Sequence, residues 1–212
     1  MAIEIFTKQE LSFFKKLNTP NKIQDYLDSI PFNFEEKGDT CMSPRRVMRE
    51  EKANCIEGAF LASTALLLSG EKPLVMNLKV EGEDFDHCVA LFKKNGYWGA
   101  ISKTNHAVLR FRDPIYKTIR ELALSYFHEY FLVTNGKKTL RGYTQPIDMN
   151  KFGIEWMAEE KDLWNISEKI FYMKYVNIIP NENKKYIRNA SKIEQKSASI
   201  KEWLKGGKRG IN

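Results

Sequence analysis

The segment from Asn54 to Gly70 constrains the fold of this 212-residue chain more than any other segment. Asn54 is a good N-cap residue, and Glu57 follows it at the spacing of a capping box. Gly70 stands where a glycine often follows the last helical turn. The pattern therefore predicts a helix that begins near Cys55. Four small residues give this helix a side that can pack closely on a sheet: Gly58, Ala59, Ala62 and Ser63.

Three strands are predicted after this helix, over residues 73–80, 85–93 and 97–103. Asn95-Gly96 separates the last two and is a strong signal for a two-residue hairpin. These two strands should therefore be antiparallel neighbours. Alternation along the strand that contains His87 places His87, Val89 and Leu91 on one face, with Cys88 on the other.

Further helices are expected on both sides of the strands. Thr19-Pro20 and Ser43-Pro44 each pair an N-cap residue with a proline at the first helical position. We expect helices over 8–17, from Pro20 to about Ser29, from Pro44 to about Lys52, from Asp113-Pro114 through Tyr130, and near 151–159 and 167–176. The order predicts an α+β fold, in which N-terminal helices and the Cys55 helix pack on a small antiparallel sheet and the C-terminal part is helical.

Cys55 is a candidate nucleophile because of its place in the first turn of its helix. A thiol reacts as thiolate, and a helix N-terminus favours the thiolate through its unpaired N–H groups and its macrodipole. The same N–H groups can stabilise the oxyanion of an acyl-transfer reaction. On this basis we expect Cys55 to be the most reactive of the three thiols. The alternative is a small buried residue at a helix start.

His87 strengthens the case for chemistry. It lies in an otherwise apolar strand, where a buried imidazole needs a hydrogen-bond partner. A thiol at the end of the packed helix is one such partner, and the backbone is another. The sequence therefore leaves two interpretations open, a Cys55–His87 catalytic pair and a structural core histidine.

A cysteine that opens a small-residue helix, a strand that begins Asp86-His87, and a hairpin strand Gly96-Tyr97-Trp98-Gly99-Ala100-Ile101 together resemble the transglutaminase-like, papain-type cysteine superfamily. Segments 98–116 and 120–130 further resemble a bacterial branch of it. The resemblance implies a papain/transglutaminase-like core with Cys55 as nucleophile and His87 as base.

The third catalytic position departs from the pattern of that superfamily. The resemblance implies an aspartate one strand after the histidine, and this position falls on Ser102. A serine does not stabilise an imidazolium as a carboxylate does. Asn105 is a second candidate orienter of His87, by analogy with papain-type sites. A two-residue hairpin places Ser102 diagonal to His87 on the same face. Either residue orients the ring, or catalysis is impaired.

Charge is concentrated at the C-terminal end of the chain. Residues 183–212 contain nine Lys and Arg against two acids, whereas residues 1–182 contain 25 of each. We therefore expect a single domain over 1–182 and a basic helical tail over 183–212 with a Gly-rich end that frays. Such a tail attracts an acidic partner or nucleic acid, or it is simply a solvated helix.

Several motifs that would indicate a metal site or a membrane span are absent from the sequence. There is no CxxC pair, no HExxH and no long apolar run, so we expect no metal, no cofactor and no membrane span. A metal or redox site made of Cys55, His87 and Cys88 is disfavoured because alternation separates His87 from Cys88. Three cysteines and no leader-like segment at the N-terminus suggest the reducing cytoplasm.

Two functional hypotheses follow. In the first, the protein is a cysteine-dependent acyl-transfer or amide-hydrolysing enzyme acting on a peptide or amide, with water or an amine as acceptor. In the second, it is a catalytically impaired binding module of the same fold that works through its basic tail. Lys103, His106, Arg110 and Arg112 follow the candidate site, and they either bind an anionic group or lie on a solvated strand edge.

Overall fold

The computed structural model describes residues 2–211, with side chains from residue 4 onward. Within this range the chain forms seven α-helices and seven strands. The helices are α1 (Lys8–Lys16), α2 (Pro20–Ser29), α3 (Pro44–Glu50), α4 (Cys55–Leu68), α5 (Ile119–Leu124), α6 (Trp164–Phe171) and α7 (Lys192–Ala198). The strands are β1 (Leu74–Val80), β2 (His87–Lys94), β3 (Tyr97–Ile101), β4 (Arg112–Tyr116), β5 (Leu140–Thr144), β6 (Ile147–Asp148) and β7 (Tyr175–Asn177).

All seven strands belong to one antiparallel sheet in the order β4-β3-β2-β1-β5-β7, with β6 paired to β1. The predicted hairpin is confirmed, since Lys94 pairs with Tyr97 across Asn95-Gly96. Both turn residues have positive φ, 49° and 87°, as a tight hairpin turn requires. The α+β prediction is therefore confirmed, with a larger sheet than expected.

The N-terminal helices begin where their caps predicted. Thr19 and Ser43 accept hydrogen bonds from the backbone N–H groups of Lys22 and Arg46. Helix α4 starts at Cys55 and is buried almost along its whole length, because it packs on β2 and is covered by α1, α2 and α3. Its close approach needs Gly58, where a Cβ atom would lie 2.5 Å from Cβ of Lys103.

Two apolar layers sandwich the sheet. One contains α4, the N-terminal helices and the β2 residues Cys88, Ala90 and Phe92. The other contains Val89 and Leu91 together with α5 and the turns that follow it. The predicted alternation along β2 is thus confirmed, and the Cys55 helix packs on the Cys88 face.

The predicted helix from Asp113-Pro114 is wrong at its start. These residues lie in β4, which is an edge strand, and an edge strand tolerates a proline that cannot donate to the ladder. The helix begins only at Ile119, where Thr118 and Glu121 form a capping box. Ile115 is consequently 67% exposed and does not belong to the core.

The prediction of a helical C-terminal part is also wrong, because β5, β6 and β7 all lie there. The helix expected near 151–159 is replaced by two short 3-10 turns, Met149–Phe152 and Glu155–Ala158. The helix expected near 167–176 begins earlier and ends at Phe171, and the chain then continues into strand β7.

The described part of the basic tail, residues 183–211, is helical only over α7 and the end of a 3-10 segment, Asn181–Tyr186. It packs on the body of the protein. Trp203 is buried, and its backbone is hydrogen-bonded to the Asn105 side chain. In the part of the chain that the structure describes, no helix is long and apolar enough to cross a membrane.

Candidate active site around Cys55 and His87

The start of α4 is fixed by a buried carboxylate. Asn54 accepts from the Glu57 backbone N–H (3.1 Å), and Glu57 accepts in return from the Asn54 backbone N–H (2.8 Å). The Glu57 side chain also accepts from the Met42 N–H and the Thr40 hydroxyl, and burial raises its pKa. Cys55 therefore occupies the first helical position of a rigid terminus.

The Cys55 thiol faces the beginning of β2. The backbone N–H groups of Cys88 and Ile56 approach it and favour the thiolate, but burial is the larger effect and raises the pKa of this thiol. The expectation that the helix N-terminus lowers the pKa is therefore wrong, because desolvation outweighs the N–H groups here. The thiol is neutral at neutral pH.

Cys55 is nevertheless the least buried residue among the three cysteines. It is partly exposed, whereas Cys41 and Cys88 are buried. Burial raises the pKa of Cys41 to about 12 and that of Cys88 well above its ordinary value. This accessibility fits the predicted rank of Cys55 as the most reactive cysteine.

His87 opens β2 and makes a defined hydrogen-bond chain. Its Nε2 lies 2.8 Å from the Ser102 hydroxyl, and that hydroxyl donates to the Leu109 carbonyl oxygen at 2.6 Å. A carbonyl oxygen only accepts, so the single hydroxyl proton of Ser102 is directed to Leu109. Nε2 of His87 must then carry a proton and donate it to Ser102. This leaves Nδ1 as the basic nitrogen of the ring.

Ser102 is held from both sides by one glutamine of α2. The Ser102 N–H donates to Gln24 Oε1, and Gln24 Nε2 donates to the Ser102 carbonyl, both at 2.9 Å. Ser102 lies directly after β3 on the face that His87 shares, as the hairpin register predicted. Its hydroxyl contacts the His87 ring directly.

The imidazole of His87 is neutral over most of the pH range. Burial, together with smaller effects of the neighbouring His106 and Arg112, lowers its pKa from the ordinary 6.5 to about 4. His87 is 6% exposed. A neutral ring with a basic Nδ1 is suited to accept a proton, although no carboxylate is present to stabilise the imidazolium.

Asn105 does not reach His87. Its side chain donates to the Trp203 carbonyl (2.9 Å) and accepts from the Trp203 N–H (2.7 Å), so it holds the C-terminal segment instead. The analogy with a papain-type asparagine is therefore wrong in this respect. Sequence reasoning missed this because Trp203 is 98 residues away in the chain.

The backbone of β2 lies between the Cys55 thiol and the His87 imidazole. Cys55 contacts the N–H of Cys88, the residue next to His87, but the hydrogen bonds of residues 2–211 include none between Cys55 and His87. The His87 ring belongs to the face opposite α4. Because His87 is the first residue of β2, a proton can pass between the two side chains only around the end of this strand, through a bridging water molecule.

The basic residues beyond the site are already engaged. Lys103 is buried and donates to the carbonyls of Leu27 and Ile30 at 2.6 Å each, and burial lowers its pKa to about 8. Arg110 pairs with Glu202 and Arg112 with Glu129. These contacts argue against the predicted anion-binding role. Among residues 2–211, no group of three or more His, Cys, Asp or Glu is arranged to hold a metal ion.

Two residues of the site carried no strong sequence signal. Gln24 occurs on a buried face of α2, where a polar residue among apolar ones is the only hint. Leu109 contributes a backbone carbonyl, and no side-chain type in the sequence indicates such a role.

Comparison with known proteins finds no family model that matches the chain and no curated protein with a significant match.

Proposed function

We propose that the protein is a cytoplasmic cysteine enzyme that transfers acyl groups or hydrolyses amides, with Cys55 as nucleophile and His87 as general base. The observation that carries the proposal is the hydrogen-bond chain from His87 through Ser102 to Leu109. It leaves Nδ1 free to take a proton. The transglutaminase-like resemblance and the position of Cys55 at the N-terminus of α4 support the same chemistry.

The proposed reaction starts from a neutral pair. As Cys55 Sγ attacks the carbonyl carbon of an ester or amide, its proton passes to Nδ1 of His87 through one water molecule at the end of β2. The carbonyl π electrons move to oxygen, and the backbone N–H of Cys55 stabilises that oxyanion. The bond to the leaving group then breaks, and His87 returns the proton to the leaving group. Water or an amine afterwards releases the acyl group from the thioester.

The hydrogen-bond chain from His87 through Ser102 to Leu109 limits the expected rate of acylation. Ser102 and the Leu109 carbonyl are neutral, and they stabilise an imidazolium less than a carboxylate does. His106 and Arg112 further disfavour positive charge on His87. We therefore expect acylation that depends on His87 but is slow compared with sites that contain a carboxylate.

The proposal is tested with p-nitrophenyl acetate, which acylates a reactive thiol and releases p-nitrophenol. Peptide mapping by mass spectrometry should find the acetyl group on Cys55, and Cys55→Ala should remove it. His87→Gln should slow acylation by about 10²-fold, the usual size of a general-base effect. His128→Gln is the matched control, because the His128 side chain is exposed and contacts Lys138 and Phe127 instead of His87, Ser102 or Leu109. Equal rates in wild type and His87→Gln would overturn the proposal.

A second candidate function rests on the tail. All nine Lys and Arg of residues 183–211 lie at exposed positions, although Arg209 also pairs with Glu202. Their density supports contact with an acidic protein or nucleic acid. Binding of a fluorescent oligonucleotide that weakens steeply with salt, and that is lost when Lys184, Lys185 and Arg188 are replaced by Gln, would favour this function.

A further inference from the structure

Leu109 adopts a backbone conformation that a leucine normally avoids. Its φ is 62°, in the left-handed region, which is unfavourable for an L-residue with a β-carbon. In this conformation its carbonyl oxygen accepts the Ser102 hydroxyl at 2.6 Å. Such strain persists only where the surroundings enforce it, and it is often found at functional sites.

The first group that enforces the conformation is an ion pair on one side. Glu129 Oε2 accepts the backbone N–H of Leu109 at 2.8 Å and the guanidinium of Arg112 at 2.6 Å. The N–H and the carbonyl of Leu109 are therefore both committed. The N–H donates to Glu129, and the carbonyl oxygen accepts from the Ser102 hydroxyl.

The second group is the C-terminal segment 198–203, here called the clasp, which docks along residues 103–110, here called the relay loop. Three of the contacts use the backbone: Glu202 N–H to the Asn105 carbonyl (2.9 Å), Ala107 N–H to the Ile200 carbonyl (3.2 Å), and the Ala198 carbonyl to Nδ1 of His106 (3.0 Å). The reciprocal Asn105–Trp203 bonds and the Arg110–Glu202 ion pair complete the interface.

We propose that the clasp controls the candidate active site: by docking on the relay loop it holds Leu109 in its strained conformation, so that the Leu109 carbonyl orients Ser102 and thereby the tautomer of His87. The inference rests on the proposed function for its catalytic meaning, but the tautomer exists independently of any reaction. Ser102, Leu109, Glu129 and Asn105 are positioning residues in this scheme.

Release of the clasp has a defined consequence. Without its support Leu109 relaxes to negative φ, and its carbonyl turns away from Ser102. The Ser102 hydroxyl is then free to donate to Nε2 of His87, which becomes the acceptor. The ring proton moves to Nδ1 through solvent exchange, and the nitrogen proposed as the base for Cys55 is no longer available. Release of the clasp thus changes the tautomer of His87 without any contact between the clasp and Cys55.

The test is ¹⁵N NMR of the histidine side chains in the full-length protein at pH 7. His87, His106 and His128 are the only histidines, so three His→Gln variants assign the spectrum. Wild-type His87 should show a protonated Nε2 and a bare Nδ1. Asn105→Ala, which removes both side-chain bonds to Trp203, should transfer most of the population to the Nδ1–H form. Asn165→Ala, an exposed asparagine on α6, is the control and should match wild type.

His106 provides an internal readout, because its Nδ1 donates to the clasp. If Asn105→Ala changes the His106 signals while His87 keeps its Nε2 proton, the clasp has loosened without effect and the proposal is wrong. If Asn105→Ala does not fold, Asn105→Asp keeps the bond from Trp203 N–H and removes the other, and the same criterion applies. A change at His87 in Glu129→Gln but in neither Asn105 variant would also overturn control by the clasp.

Acylation by p-nitrophenyl acetate separates this inference from the proposed function. If Asn105→Ala changes the tautomer but Cys55 of the wild type is unreactive, the clasp controls the tautomer of His87 and the proposed enzymatic function is wrong. If Cys55 is reactive but Asn105→Ala does not change the tautomer of His87, the proposed enzymatic function stands and the proposed regulation by the clasp is wrong. Support for both requires the tautomer change and at least a tenfold slower acylation in Asn105→Ala.

Discussion

The Ser102 hydroxyl lies 2.8 Å from Nε2 of His87 and donates its own hydrogen bond to the Leu109 carbonyl oxygen. This relationship fixes which nitrogen of the imidazole is basic. The group that orients the ring is therefore a neutral hydroxyl and not a carboxylate. The Cys55 thiol and the His87 imidazole are both neutral at neutral pH, because burial raises the pKa of the first and lowers the pKa of the second.

Alkylation should distinguish the three thiols. Cys55 is partly exposed whereas Cys41 and Cys88 are buried, so iodoacetamide should label Cys55 first in the folded protein. Because burial raises the pKa of Cys55, labelling should keep accelerating with pH beyond the range of an ordinary thiol. Mass spectrometry of peptides measures each rate. Faster labelling of Cys41 or Cys88 would contradict the structure, and similar labelling of all three in urea is the control.

His87 should destabilise the protein in mild acid. Its pKa is lowered to about 4 in the folded chain and is near 6.5 when unfolded, so only the unfolded chain takes up the proton between these values. Stability is thus full above pH 6.5 and falls as the pH drops towards 4. At pH 5 the loss should be about 2 kcal/mol relative to pH 7.

Urea unfolding at pH 7 and pH 5 measures this loss. His87→Gln should lack the part that belongs to His87 while keeping the part due to other groups. His128→Gln, at an exposed site, should lose as much stability as wild type. An equal loss in wild type and His87→Gln would show that His87 is not buried in the neutral form.

The strain at Leu109 should appear in a pair of substitutions. Leu109→Gly and Leu109→Ala both remove the side chain, but glycine adopts positive φ freely. Leu109→Gly should therefore be more stable than Leu109→Ala by about 1 kcal/mol in urea unfolding. The same pair at Leu124, in the last turn of α5, should show the opposite order. Greater stability of Leu109→Ala would mean that the backbone is unstrained.

The tight contact between α4 and the residue after Ser102 should make Gly58 hard to replace. In a helix, glycine to alanine normally stabilises by about 1 kcal/mol. At Gly58 the added Cβ would lie 2.5 Å from the Lys103 Cβ, and overpacking of this kind costs about 1–3 kcal/mol. Gly58→Ala should therefore lower the urea midpoint. In a Lys103→Gly background the penalty should vanish, and its persistence would place the clash elsewhere.

Local features of this chain were predictable from sequence because their determinants are adjacent. Asn54 and Glu57 cap α4 through contacts three residues apart, and Asn95-Gly96 fixes the register that brings Ser102 to the face of His87. Asp113-Pro114 misled because the same dipeptide suits a helix start and an edge strand, and only the sheet order decides.

The remainder of the site depends on long-range contacts. Asn105 pairs with Trp203 rather than His87, and Gln24 reaches Ser102 across 78 residues. The positive φ of Leu109 has no signature, since glycine or asparagine would normally mark such a position. The direction of the pKa shift of Cys55 was also not predictable from the sequence, because it depends on how deeply the start of α4 is buried.

The most direct test of the account is the pH dependence of Cys55 acylation by p-nitrophenyl acetate in wild type and His87→Gln. If neutral His87 is the base, the wild-type rate should rise with a midpoint near its pKa of about 4 and then stay level through neutral pH. His87→Gln should lack that plateau. If instead both proteins show a rate that climbs about tenfold per pH unit across the neutral range, free thiolate does the chemistry and His87 is not its base.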